Sequence, residues 1–176
     1  MPICQYCQKL KERIRTLEDR LQLIESKSNL RKGFEGEQLI SRLVNGKRTM
    51  FTTPHDVTTR RGGKKLEVKF ARLNKAKKIG TTMRWTWGHA LGFSGMKHYN
   101  RLILVGEADP ALQNGRTKTC PYVFFDVPFS RVRDVMRSDG LIQISTNPQT
   151  ARTSEARLLF DKYQVTSTDL KKRYGF

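Results

Sequence analysis

The sequence is short of acidic residues, short of cysteine and without a long apolar run, and each shortage removes a class of protein. No stretch reaches the roughly 20 apolar residues needed to cross a bilayer, and the first residues lack the apolar centre of a signal peptide. Insertion into a membrane and export are therefore not expected. Three cysteines, two of them in the pair Cys4-x-x-Cys7, do not make a disulfide framework. They suit a soluble protein of the cytoplasm, where thiols stay reduced. Low-complexity tracts and internal repeats are also missing. Acidic side chains are outnumbered most heavily: 16 Asp and Glu stand against 34 Lys and Arg in 176 residues, a formal charge of +18. Such an excess says nothing about fold but selects a polyanionic partner. Nucleic acid is the first candidate, because neutralising phosphates releases condensed counterions. An anionic membrane surface is the second.

What remains is enough for one domain with an appendage, and 37% apolar residues can build one modest core. Residues 1–30 stand apart from residues 31–176. Leu10, Ile14, Leu17, Leu21 and Ile24 are spaced alternately four and three apart, the a/d pattern of a coiled coil. Such a seam must pack on a partner chain, making a homodimer, or dock on its own domain. Its length, under three heptads, makes self-association of this segment alone weak. Cys4 and Cys7 precede the seam. One pair supplies two ligands, but two chains in a parallel dimer would bring together the four thiolates of a structural zinc site.

The body reads as an α/β or α+β domain with a mixed sheet flanked by helices. A break is expected at residues 28–33, then a helix from Gly33 to Val44 and a strand over Thr49–Thr53. Asp56–Arg60 and Lys65–Ala71 follow as two strands around Gly62-Gly63, a hairpin signal. Residues 72–98 resist assignment. Arg101–Glu107 and Pro121–Val127 are strand candidates, the first so aliphatic that it should be buried on both faces. A helix over Ser130–Ser138, a strand over Leu141–Ser145 and helices over Ser154–Tyr163 and Ser167–Tyr174 complete the chain.

The hairpin carries the chemistry. With a two-residue turn at Gly62-Gly63, Asp56 opposes Lys69. Side chains alternate, so Glu67 and Lys69 share one face and Leu66, Val68 and Phe70 the other. Asp56 then lies on the Glu67/Lys69 face, its backbone about 7–8 Å from that of Glu67, within reach for two carboxylates to share one ion. Mg²⁺ suits such a pair, since it takes hard oxygen ligands and keeps several waters, and Mn²⁺ could replace it. The Val68 carbonyl is a further ligand candidate. Lys69 could orient water or neutralise developing charge on phosphorus. Glu37, on the preceding helix, points the same way as Phe34 and Ile40, and a buried carboxylate needs a partner such as a nearby metal site.

Asp56 followed, after ten residues, by Glu67-Val68-Lys69 on an apolar strand resembles the motif of the PD-(D/E)XK nuclease superfamily. Glu37 matches members with an early acidic residue. Pro54 stands two residues before Asp56, with His55 between, a departure the group tolerates. The resemblance covers about residues 33–71. It implies a restriction-endonuclease-like core with a four-stranded mixed sheet, Mg²⁺-dependent hydrolysis of phosphodiesters, and catalytic roles for Asp56, Glu67 and Lys69. It also tips the substrate towards double-stranded DNA. A sequence-specific restriction-type enzyme leads; a homing or phage-type endonuclease or a Holliday junction resolvase fits the same residues. The plain alternative is a solvated Glu–Lys strand in a non-catalytic nucleic-acid-binding protein.

Around the hairpin, Arg60, Arg61, Lys64, Lys65, Arg72, Lys75, Lys77, Lys78 and Arg84 are candidates to grip phosphates. Trp85 and Trp87 could stack on bases or belong to the core. His89 is a weak candidate for a base, and Cys120 reads as a packing residue.

Overall fold

A computed structural model of the chain describes residues 6, 8, 10, 12–18, 28–50, 53–76, 82–92, 97–112, 120–150 and 153–175. Helix α1 (Ser28–Leu43) leads into β1 (Gly46–Arg48), β2 (Val57–Thr59), β3 (Lys65–Ala71), β4 (Asn74–Lys75), β5 (Met83–Trp87), β6 (Arg101–Glu107), β7 (Tyr122–Pro128) and β8 (Ile142–Ser145). Helix α2 (Ser154–Leu158), β9 (Gln164–Val165) and helix α3 (Ser167–Leu170) close the chain. The domain is mixed α/β, and no helix among the described residues is long and apolar enough to cross a membrane.

Six strands form the main sheet in the order β1-β2-β3-β6-β7-β9. The sheet is mixed: β3 and β6 are parallel, and the other neighbours are antiparallel. Parallel strands need a long crossover. Here the crossover carries β4 and β5, which join β8 in a second, antiparallel sheet of three strands. Strand β6 lies at the centre, and Leu102 to Val105 are fully buried, as a strand covered on both faces requires. Alternation sorts its side chains. Ile103 and Val105 join Ile40 and Val44 from the α1 end and Leu170 and Tyr174 from the C-terminus. Leu102 and Leu104 join Trp85, Trp87, Phe125 and Ile142 on the opposite face.

Several expectations are corrected. Residues 28–33 are helical, not a break, because Leu30, Arg31 and Lys32 are good helix formers and Gly33 costs a helix only about 1 kcal/mol. The strand expected over Thr49–Thr53 lies earlier, at Gly46–Arg48. Thr53 instead turns back to the Met50 carbonyl, and Thr49 donates its hydroxyl to the His55 carbonyl. The hairpin loop has four residues, not two. Thr59 pairs with Lys64, and its hydroxyl both donates to the Arg61 carbonyl at 2.9 Å and accepts from the Lys64 amide at 2.9 Å. Gly62 and Gly63 take φ of 75° and 57° within that loop, values that favour glycine. The pairing consequently shifts by two residues from the expected one: Val57 faces Leu66, and the Asp56 amide also turns to the Leu66 carbonyl, so Asp56 is not opposite Lys69. Asp56 nevertheless stays close enough to Glu67 for its charge to act on that carboxyl. The main sheet has six strands, not four. The helix expected over Ser130–Ser138 is a 3₁₀ segment at Phe129–Val135, and the two C-terminal helices each pass into a π-helical turn.

Helix α1 comes close to β3 because it lacks a side chain at one position. A Cβ on Gly36 would lie 2.8 Å from the Cβ of Phe70. Gly33, one turn earlier, has nothing within 4 Å of its would-be Cβ. The two glycines should therefore answer oppositely to alanine. Gly33→Ala should stabilise the protein by about 0.5–1 kcal/mol. Gly36→Ala should destabilise it by about 1–3 kcal/mol through overpacking. Urea unfolding of both variants checks this, and a stabilised Gly36→Ala would contradict the close approach.

Candidate active site

The site arises where β2 ends too early to cover β3. The last backbone bond between them runs from the Asp56 amide to the Leu66 carbonyl, at 2.9 Å. One residue pair on, a side chain takes the place of a strand: the Val68 amide donates to Asp56 Oδ2 at 2.8 Å. The amide and carbonyl of one strand residue point to the same side. The Val68 carbonyl therefore faces the same gap as Asp56, as its candidate ligand role requires.

Glu67 projects from β3 on the Asp56 face and is completely buried. Its Oε1 accepts from Lys69 Nζ at 2.6 Å and also from Lys97 Nζ. Its Oε2 is buried and has no hydrogen-bond partner among the described residues. An unmet carboxylate oxygen in the interior is costly and calls for a proton, a water or a cation. Burial, and secondarily the Asp56 charge, raise the Glu67 pKa, with Lys69 and Lys97 opposing. The Lys69 pKa is raised as well: burial works against its charge, but Glu67 and Asp56 outweigh it.

Glu37 joins from α1. It accepts from Arg48 Nη2 at 3.1 Å, and the Arg48 guanidinium lies 3.9 Å over the Phe34 ring. Burial and the Asp56 charge raise the Glu37 pKa as well, with Arg48 opposing. Glu37, Asp56 and Glu67 are therefore near enough to feel one another. Beside them opens a cleft of about 490 Å³, lined by Gly33, Glu37, Asp56, Lys69, Arg72 and His89 among others.

Among the described residues no three His, Cys, Asp or Glu side chains are arranged as a ready-made ion cage. A hard divalent ion needs only one or two carboxylates plus substrate oxygens. The partnerless Glu67 Oε2, the Asp56 carboxylate and the Val68 carbonyl are donors of that kind, and the orphaned oxygen is what makes the residues fit such an ion.

The remaining candidates divide. Arg60 and Arg61 sit exposed in the hairpin loop, followed by the exposed Lys64 and Lys65. Arg72 borders the cleft and forms ion pairs of 3.5 Å with both Glu35 and Glu107. Lys75 is exposed on β4, and Arg84 is half-buried on β5. Cys4, Cys7, Lys77 and Lys78 lie outside the described residues. The tryptophans are core: each is 1% exposed, with Trp85 donating to the Glu107 carbonyl and Trp87 to the Val105 carbonyl. Trp85 also presses on Gly106, where a Cβ would meet it at 2.6 Å. Base stacking by either ring is thereby ruled out as an open option. His89 stands exposed at the cleft with a φ of 54°. Cys120 is a half-buried free thiol packed beside the core.

Two functional neighbours escaped the sequence reading, Lys97 and Arg48. Lys97 lies 30 residues beyond Glu67, in a segment without periodicity. Only the parallel register, with Glu67 beside Leu102, brings the approach to β6 near the carboxylate.

No protein-family model matches the chain, and a search of curated proteins finds no significant match. The site must speak through its chemistry alone.

The raised carboxyls make a prediction about stability. A carboxyl whose folded pKa exceeds its unfolded value binds its proton more readily when folded, so stability falls as pH rises through that range. Without metal at neutral pH, Glu37→Gln should melt above the wild type. That margin should close as the pH is lowered towards 4.5, the ordinary glutamate value. Thermal melts in EDTA across this range test it; a variant that melts below wild type at neutral pH would contradict it.

Proposed function

We propose that the protein is a Mg²⁺-dependent endonuclease of the PD-(D/E)XK kind that hydrolyses double-stranded DNA. The observation that carries this reading is Glu67: wholly buried, one oxygen held by lysines, the other without a partner, and Asp56 beside it. A solvated Glu–Lys strand, the plain alternative, would not bury its glutamate. The central strands β2, β3, β6 and β7, with β3 and β6 parallel, support the likeness to the superfamily.

Asp56, Glu67 and the Val68 carbonyl would hold the ion. When bound, it supplies Lewis acidity, charge for the leaving oxygen and a lower pKa for water. The chain's own residues do the rest. Lys69 reaches the cleft from β3, where its ammonium can orient the attacking water and neutralise charge developing on the phosphoryl oxygens. Arg72 at the cleft rim suits a flanking phosphate, and the exposed Arg60, Arg61, Lys64 and Lys65 suit phosphates further along a duplex. A homodimer through the N-terminal segment fits this reading. Residues 12–18 are helical, and Leu10, Ile14 and Leu17 of the seam are 47%, 48% and 52% exposed, uncovered by the described residues. Two sites related by a two-fold axis would cut both strands. A restriction-type enzyme acting inside the cell leads; a homing or phage-type endonuclease and a junction resolvase share its chemistry.

Supercoiled plasmid and phage genomic DNA incubated with the protein in Mg²⁺ should be cut, and EDTA should stop it. Asp56→Ala, Glu67→Ala and Lys69→Ala should each slow cleavage by about 100-fold or more, the scale of losing one charge-stabilising group. Retardation of the DNA in a gel should persist for the carboxylate variants, since fewer carboxylates repel phosphate less. Retardation by the wild type with no Mg²⁺-dependent cleavage would identify a binding protein instead.

A further inference from the structure

We infer that Lys97 is an internal counter-cation that competes with the divalent ion for Glu67 and yields to it, a role that rests on the metal-site reading above.

Positive charge crowds onto one atom of the site. Glu67 Oε1 accepts from Lys69 and from Lys97, while Oε2 has no partner among the described residues. One oxygen facing two ammonium groups is not the arrangement that best satisfies a carboxylate, which offers about four lone-pair sites over both oxygens. The two lysines differ in how they are held. Lys69 belongs to β3, whose backbone pairs along its length with β6. Lys97 comes from the loop before β6, with its stem against Gly92, where a Cβ would meet Lys97 Cγ at 2.9 Å. The two side chains are about equally exposed, 27% for Lys97 and 22% for Lys69, so the backbone makes the difference. An ammonium carried on a loop can leave its partner more readily than one carried on a paired strand.

The charges around the site sharpen the point. Glu37 is already matched by Arg48, and Glu67 by two lysines. A dication at Oε2 would add its charge beside two ammonium groups already gathered on Oε1. Repulsion then favours withdrawal of one of them, and Lys97, carried on the loop, is the one placed to move. Withdrawn towards the cleft, the ammonium would find its next counter-charge on the phosphate of bound DNA. Metal and nucleic acid would thus favour each other's binding, as reciprocal linkage demands.

The test is Mn²⁺ binding without nucleic acid, followed by calorimetry on wild type, Lys97→Met, Lys97→Arg and Glu67→Gln. Lys97→Met, which keeps the stem and drops the charge, should bind Mn²⁺ about tenfold or more tightly than wild type. Lys97→Arg should stay within a few-fold of wild type. Equal or weaker binding by Lys97→Met, with Glu67→Gln still losing binding, would overturn the role of Lys97 and leave the metal site standing. Binding by wild type that Glu67→Gln does not weaken, or none at all, would overturn both. A second readout needs no variant: the side-chain ¹⁵N ammonium resonance of Lys97 should be slow-exchanging in metal-free protein and shift or broaden on saturation with Mg²⁺. A signal unchanged by Mg²⁺ would overturn the proposal, whatever the folding of the variants.

Discussion

Everything near the site follows from a carboxylate placed where no water reaches it. Glu67 is buried on a central strand, and its charge must be met from inside the protein. Two lysines meet it at one oxygen. The other oxygen is left for whatever the site is built to receive. A chain optimised for stability alone would put an apolar residue here, as Leu102 and Leu104 are in the neighbouring strand. The buried charge is the feature on which the metal-site proposal rests.

The architecture serves that arrangement through interruptions in its own regularity. β2 stops after three residues, and the next backbone amide of β3 on that side, Val68, is satisfied by the Asp56 side chain. Gly36 removes a side chain so that α1 can bring Glu37 close. The parallel pairing of β3 with β6 obliges the chain to make a long crossover, and that crossover returns Lys97 to Glu67 before supplying β6. Away from the site the same economy is structural. Asp126 is buried and ties the C-terminus to the sheet, accepting from Arg101 at 2.7 Å, Arg173 at 2.9 Å and the Tyr174 hydroxyl at 2.8 Å. There the carboxylate is fully engaged, in contrast with Glu67.

Periodicity made the hairpin arms, β6 and β7 legible, because alternation and aliphatic runs are written locally. Glu67 and Lys69 were legible on one face of β3 although the pairing was off by two residues, since alternation within a strand does not depend on its partner's register. The four-residue loop was hidden because Thr59, not the glycines alone, decides where the turn closes. β4 and β5 were not legible: β4 is two residues long, and β5 alternates tryptophans with polar residues in a way that also fits an exposed aromatic platform. Only burial against Gly106 and β6 tells core from platform. Lys97 depends wholly on tertiary pairing, which no local pattern announces.

The central claim is that Asp56 and the open oxygen of Glu67 form the seat of a divalent ion. Crystals of the wild-type protein soaked in Mn²⁺ and measured for anomalous scattering address it directly. The account predicts a peak about 2.0–2.3 Å from Glu67 Oε2 and from an Asp56 oxygen, with the Val68 carbonyl turned towards it. A fully occupied Mn²⁺ elsewhere, with Glu67 Oε2 bonded only to protein or water, would contradict it.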